Sequence, residues 1–367
     1  MFGWSGGYVG FRTASDITFD ATSGKMSIAV EMVSTSSPDG AQWTAGRAMD
    51  IEGLTDAVYV RQVIEGPSVL LAVGRYGVAT CGGPSTVGVL WTSTDGQTWT
   101  RDPLSGDFAT ASVYTIDGDS SGFVATGTLE DGVTQAIWLS TDGSSWRRVA
   151  VPTVTTGTFV LDGATAFASG YVVAGAVLGD EGCGGPALLT PSLWWSTSGT
   201  SWSRVKLPGA TPAPDATMAV TRISDHALMA IATVWDPGAT ASPAAGLPGG
   251  FRSGIAAELH AIAHPTQTVW VSSNGQDWKL VQSPSSMLND QVMTDGRKGL
   301  VVETPADGTG APTIAIVGDD LSVTTLSESG AVPDALSSNW TYALGPSGLV
   351  CVLSDGTDLR LGLPGLP

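Results

Sequence analysis

The stretch that decides the fold is WTSTDGQTW, Trp91 to Trp99. It returns as WLSTDGSSW (Trp138 to Trp146), WWSTSGTSW (Trp194 to Trp202) and WVSSNGQDW (Trp270 to Trp278). A shorter copy, SPDGAQW, runs from Ser37 to Trp43 without the leading Trp. The shared pattern is W-x-S-x-[DSN]-G-x-x-W, and it accounts for nine of the 13 Trp residues. The closing residues Trp43, Trp99, Trp146, Trp202 and Trp278 follow at intervals of 56, 47, 56 and 76. Self-similarity at such a period marks an array of structural repeats.

Working outward, each copy has the same surroundings. Upstream lies an apolar run entered through a turn: SVLLAVG (Ser68 to Gly74), GFVATGT (Gly122 to Thr128), GYVVAGA (Gly170 to Ala176) and ALMAIATV (Ala227 to Val234). Before it comes an alternating segment such as ASVYTID (Ala111 to Asp117), and after the last Trp a short one such as WRRVAVP (Trp146 to Pro152). The unit is four short strands in roughly 50 residues, an antiparallel meander of the size of a propeller blade. In the phrase itself, Gly supplies a positive φ. The Ser hydroxyl and the Asp carboxylate accept from nearby amides and close the turn between third and fourth strands. The flanking Trp rings are large apolar faces to bury between blades.

This phrase resembles the Asp-box, or BNR repeat, of sialidase-like β-propellers. The resemblance implies an all-β propeller of four-stranded antiparallel blades and assigns a structural role to Ser37, Asp39 and Trp43, Ser93, Asp95 and Trp99, Ser140, Asp142 and Trp146, Ser196 and Trp202, and Ser272, Asn274 and Trp278. The Asp position holds Ser198 and Asn274 in the fourth and fifth copies. Ser is a poor replacement for a catalytic or metal-binding carboxylate, so the phrase reads as a device of the fold and not as the functional site. Strand rhythm continues beyond Trp278, through GLVVETP, TIAIVGD and LSVTTLS and then NWTYALG, GLVCVLSDG and LRLGLPG. The expectation is one propeller domain over 1–367 with seven blades, near 1–48, 49–104, 105–152, 153–208, 209–284, 285–334 and 335–367; six is the alternative. GGYVGFRTA (Gly6 to Ala14) matches a second strand, so the chain is expected to enter mid-blade, with no obvious first strand before it.

Composition agrees. Gly and Pro number 48 and 21, too many for a helical protein. With 42% hydrophobic residues, disorder is excluded. A net charge of −18 excludes nucleic acid and anionic membrane surfaces as partners. The longest apolar run, Ala227 to Trp235, is far short of the roughly 20 residues a helical span needs, so no membrane insertion is expected. MFGWSGGYVG has no basic segment followed by an apolar one, so no leader is visible.

In such blades the 2–3 loops and blade connections share one face, opposite the repeated turns, and loops clustered around a channel are where a propeller binds. The candidate ligand-binding set there is Arg12, Arg75, Glu130, Asp131, Asp180, Glu181 and Asp236, with Glu303 and Asp307 nearby. Ca²⁺ or a cationic ligand is the chemistry such carboxylates take; otherwise no cofactor is expected. CGGP occurs at both Cys81 and Cys183; these thiols form a disulfide if their Cα atoms lie within about 7 Å, or else stay unpaired. SGIAAELHAIAHP, in the long insertion from Asp236 to Pro265, reads as a helix placing His260 and His264 on one face. That is metal-ligand spacing, and equally a His pair favoured by a helix C-terminus.

Sialidase activity would require a Phe/Tyr-Arg-Ile-Pro motif. The nearest match, GFRTAS, keeps Phe11 and Arg12 but has Thr13 and Ala14 where Ile and Pro belong. Tyr342 has no nearby Glu to form the nucleophile pair. The function expected is therefore non-catalytic: a secreted or cell-surface monomer binding a glycan or protein through its 2–3 loops. The alternatives are a glycoside hydrolase using two carboxylates and a structural subunit of an extracellular or virion assembly. Trp195 and Trp235 are the aromatics expected to be available for stacking on a sugar.

Overall fold

A computed structural model of the chain describes residues 1–20, 25–52, 54, 58–76, 87–167, 170–179, 188–214, 216–234, 266–281, 291–294, 299–303, 313–317, 323–326, 340–345, 348–353 and 358–361. Among them the strands form seven antiparallel sheets, each a meander. Sheet one is Phe2–Trp4, Gly7–Asp20, Lys25–Ser37 and Arg47–Ala48; sheet two is Val58–Glu65, Leu70–Tyr76, Val87–Ser93 and Thr100–Arg101. Sheet three is Ser112–Asp119, Gly122–Thr128, Gln135–Ser140 and Arg147–Val149; sheet four is Thr158–Phe167, Gly170–Leu178, Leu188–Ser196 and Ser203–Val205. Sheet five is Thr217–Ser224, Ala227–Val234, Thr266–Ser272 and Lys279–Val281. Sheet six is Gln291–Thr294, Gly299–Glu303, Thr313–Val317 and Val323–Leu326, and sheet seven is Trp340–Gly345, Gly348–Leu353 and Asp358–Leu361. Sheet four gains a fifth strand, Ala213–Pro214, which pairs with Leu188 and Leu189.

The first strand of every sheet lies beside the first strand of the next, and Trp340–Gly345 lies beside Phe2–Trp4. The fold is a β-propeller with the first strands innermost. Tight turns join strands one to two and three to four at one end of the sheets, the turn end. Strands two and three are joined at the other, the loop end.

What holds neighbouring sheets together is the leading Trp of each repeat. Trp91, Trp138, Trp194 and Trp270 are at most 2% exposed. Each sits in a separate apolar cluster between consecutive sheets: Trp91 with Val9 and Met32, Trp138 with Ile64 and Leu71, Trp194 with Val124 and Ile137, and Trp270 with Phe167 and Val172. Three of these rings also hydrogen-bond to the segments connecting the sheets. Trp91 Nε1 donates to Asp50 O and Trp270 Nε1 to Pro208 O, both at 2.8 Å, while Trp138 Nε1 donates to an Asp107 carboxylate oxygen at 3.3 Å. A ring of this size with its N–H satisfied is among the most stabilising groups a sheet interface can bury.

The entry into the ring differs from expectation. Phe2–Trp4 is a regular first strand of sheet one, with Phe2 opposite Val9 and Trp4 opposite Gly7. It is held by apolar contact, Phe2 and Trp4 packing on the cluster between sheets one and two. Trp4 covers Gly96, where a Cβ would come within 2.4 Å of the indole. Three residues carry too little alternation to announce a strand.

Candidate functional site

The turn end is closed by hydrogen bonds. In sheet two, Ser93 Oγ donates to Asp95 Oδ1 (3.0 Å) and accepts from the Gly96 amide (2.9 Å). Asp95 Oδ1 also accepts the Gln97 and Thr98 amides, both at 2.8 Å. Sheet three repeats this with Ser140 and Asp142, whose Oδ1 accepts from Ser144 (2.9 Å) and Ser145 (2.7 Å). In sheet one, Ser37 donates to Asp39, which accepts the Ala41 and Gln42 amides. Asn274 does the same in sheet five, accepting from Gln276 (2.9 Å) and Asp277 (2.8 Å). These amides favour the ionised carboxylate. The Ser145 amide foremost lowers the pKa of Asp142 to about 2, and the Thr98 amide foremost lowers that of Asp95. The closing Trp then donates its indole N–H to the turn glycine: Trp99 to Gly96 O, Trp146 to Gly143 O and Trp278 to Gly275 O.

Sheet four departs where its sequence does. Ser198 Oγ reaches one amide, that of Thr200, at 3.3 Å, and pairs with the Thr200 hydroxyl at 2.7 Å. Trp202 Nε1 turns away to Ala150 O (2.6 Å) in the segment after sheet three. The turn keeps its shape because Ser196 Oγ still accepts the Gly199 amide at 2.8 Å.

Near the axis, a polar chain crosses the turn end over three first strands. Thr165 of sheet four donates to Asp117 Oδ2 of sheet three. Arg222 of sheet five donates from Nη2 to Gly118 O of sheet three (3.0 Å) and from Nη1 to Asp225 Oδ1 (2.9 Å). The Arg222 side chain is only 12% exposed. Burial raises the pKa of Asp117, opposed by the Arg222 charge and the Thr165 hydroxyl. Asp119, two residues on, accepts from the amide and hydroxyl of Ser121 and closes its own turn. This chain reads as a brace across the ring.

The loop end is different. Between strands two and three lie residues 77–86 in sheet two, 179–187 in sheet four and 235–265 in sheet five. Sheet one instead projects a hairpin in register as far as Asp20 opposite Lys25. Of the four large apolar side chains exposed among the described residues, three are at this end: Tyr59 (53%), Val133 (72%) and Leu188 (41%). Tyr59 opposes Arg75 on the neighbouring strand, Val133 is in the loop of sheet three, and Leu188 opens the third strand of sheet four.

Of the residues singled out from sequence, Arg12 is exposed on the second strand of sheet one and Arg75 is the penultimate residue of that of sheet two. Glu130 and Asp131 are exposed in the sheet-three loop. Asp131 is committed locally: its carboxylate accepts the Thr134 hydroxyl and the Val133 and Thr134 amides, which lower its pKa. Asp180, Glu181, Asp236, Cys81, Cys183, His260, His264 and Trp235 lie outside the described residues, as do the expected helix and Asp307. Trp195 does not line the loop end. It is half-buried and packs over Gly170 and over Gly275 of the next sheet's turn. The brace Asp117, Thr165 and Arg222 has no sequence signal of its own, because its members come from three different repeats.

No protein-family model matches the chain, and no curated protein matches it in sequence. Solved structures similar in fold include the β-propeller domain of the trilobed protease from Pyrococcus furiosus, at 8% identity and a TM-score of 0.40, over 81% of this chain and 77% of that one. A Bombyx mori GH32 β-fructofuranosidase is matched at 10% identity and a TM-score of 0.33, over 98% and 85%. YCF48 bound to a D1 peptide is matched at 13% identity and a TM-score of 0.31, over 83% and 98%.

Proposed function

We propose that this chain is a seven-bladed propeller of the Asp-box type that works as a non-catalytic, extracytoplasmic binding module and takes a polypeptide partner on its loop end. The observation that carries this reading is the placement of Tyr59, Val133 and Leu188, each exposed at the loop end, on the consecutive sheets two, three and four, where the connections are long. Exposed apolar groups rimmed by polar ones mark interaction surfaces, and the opposite end is occupied by capped turns. Aliphatic groups outnumber the single aromatic in this set, which suits a peptide better than a sugar that stacks on rings. The acidic rim at Glu130 and the net charge of −18 favour a basic partner and speed its encounter.

The test is a display selection of random peptides on the immobilised protein, followed by binding to the triple variant Y59S/V133S/L188S. Retained fold with at least a tenfold loss of affinity for the selected peptides is the expected result. Unchanged affinity in that variant would remove the loop end as the binding face.

A further inference from the structure

Strand four of each repeat offers an internal comparison. Opposite the residue three before the repeat Ser, sheets three, four and five place Val149, Val205 and Val281. Val149 is 9% exposed within the core between sheets three and four, Val205 packs partly buried on the cluster between sheets four and five, and Val281 packs partly buried on the apolar cluster of sheet five. In sheet two the same position is Asp102, whose amide donates to Leu90 O at 3.0 Å. A carboxyl has replaced a packing valine.

Its surroundings do not satisfy it. One carboxyl oxygen meets the Thr92 hydroxyl at 3.5 Å, too long to be a strong bond, and Oδ2 is buried with no hydrogen-bond partner among the described residues. Arg101, the adjacent residue, spends Nη1 on Glu52 O (2.7 Å), and no ion pair to Asp102 occurs among the described residues. Asp102 lines a cavity of about 560 Å³ together with Asp50, Arg101, Val89, Pro103, Leu104 and Ala109. The corresponding cavity of sheet four, about 350 Å³, has Val205 in place of the acid, beside Leu207 and Ala210. An unpaired buried carboxyl costs stability that a valine would not, and a polar group held against that cost at the wall of a cavity marks a functional site.

We propose that the cavity beside Asp102 binds a primary ammonium carried on an aliphatic stem, the group a lysine side chain of a polypeptide partner presents, with the Asp102 carboxylate as its acceptor. The walls supplied by Val89, Pro103, Leu104 and Ala109 suit the methylenes. With Oδ2 closed off, at most one oxygen of the carboxylate can meet a ligand, which suits a compact ammonium, whereas a guanidinium fork needs two. The charged groups nearby are Asp50, Arg101 and, from the turn of sheet three, Asp142; the Asp142 charge adds to burial in raising the pKa of Asp102 to about 6. A bound cation competes with that proton, so binding weakens as the pH falls through 6. The inference deepens the proposed loop-end function by naming one side chain of the partner.

The test uses the whole protein with ¹⁵N-labelled Trp, because Trp91 Nε1 bonds to Asp50 O at the cavity wall. The probes are Nα-acetyl-lysine methylamide, the norleucine analogue and n-butylammonium. The lysine compound is expected to shift the Trp91 indole resonance saturably, the norleucine compound not. Affinity should fall roughly tenfold between pH 7.5 and pH 5. D102N should weaken binding at least tenfold and remove the pH dependence. D102V should do the same with the other indole resonances unmoved, since valine is the residue of the equivalent position in sheets three, four and five. Either order of butylammonium and lysine compound upholds an ammonium site and says whether free amines or lysine side chains suit it better. Equal binding of norleucine and lysine compounds, or binding retained in D102V, overturns it. Because these probes require no partner, their failure leaves the peptide-selection result standing, and the reverse also holds.

Discussion

Replacing Asp142 by alanine, asparagine and serine asks the protein to repeat a comparison it already contains, since the same turn position is Asp in sheets one to three, Ser198 in sheet four and Asn274 in sheet five. In the native turn Asp142 Oδ1 takes two amides, at 2.9 and 2.7 Å, and the Ser140 hydroxyl at 3.0 Å. The fall of its pKa from 3.8 to about 2 corresponds to about 2 kcal/mol in favour of the charged form at ~1.4 kcal/mol per unit. Because the carboxylate is largely solvated, screening reduces this to about 1 kcal/mol. Alanine also leaves the two amides without their acceptor, so D142A should cost about 1.5 kcal/mol, the scale of a lost helix N-cap. Asparagine keeps the acceptor, as Asn274 shows at 2.9 and 2.8 Å, so D142N should cost about 0.5 kcal/mol, with D142S between. The assay is urea denaturation near pH 7, checked by thermal unfolding. With an unfolding entropy of about 2 cal/mol/K per residue, 1.5 kcal/mol is about 2 °C in a chain of this length.

The pH dependence has a definite sign. Asp142 has a folded pKa below its unfolded value, so its contribution is complete above pH 3.8 and lost as the pH falls toward 2. The gap between wild type and D142N should therefore close over that interval. Equal losses in D142A and D142N, or no loss in either, would refute the account of the turn as an amide-capping device.

Other expectations rest on separate parts of the ring. S198D should add about 1 kcal/mol in urea denaturation, by supplying the two-amide acceptor that sheet four lacks. R222M should cost on the order of 3 kcal/mol, because it strands Asp117 in the brace, and the double variant R222M/D117N should recover part of the loss in a double-mutant cycle. D102V should raise stability near pH 7 by about 1 kcal/mol, measured by the same denaturation. In wild type the carboxyl, raised to about 6, destabilises progressively as the pH rises through the interval from 3.8 to 6, so the advantage of D102V should shrink below pH 4.

Much of this architecture was legible because the determinants are local. Ser, Asp and Gly within four residues close a turn wherever they occur, and Trp at either end can bury only against a neighbouring sheet, so one nine-residue phrase carries both the hairpin and the packing. Ser198 was legible as a departure, but the turning of Trp202 toward Ala150 was not, because Ala150 belongs to another repeat. The same separation hid the brace: Asp117, Thr165 and Arg222 meet only once the ring brings sheets three, four and five together. Phe2–Trp4 was missed since its stability comes from contacts with sheet two and not from its own pattern. Trp195 was misjudged as a ligand-stacking ring because its packing partner, Gly275, lies 80 residues onward. Asp102 carried a signal that sequence reading passed over, namely an acid standing three residues after Trp99 where three sister repeats have valine.

The most direct test of the central claim is a hydrogen-exchange footprint of the protein with and without a peptide taken from the display selection. The account predicts that the peptide slows exchange at the loop end, in residues 58–60, 87–90, 129–135 and 188–190, and leaves the turns at 93–99 and 140–146 unchanged. Slowed exchange at those turns, with the loop end unaffected, would contradict it.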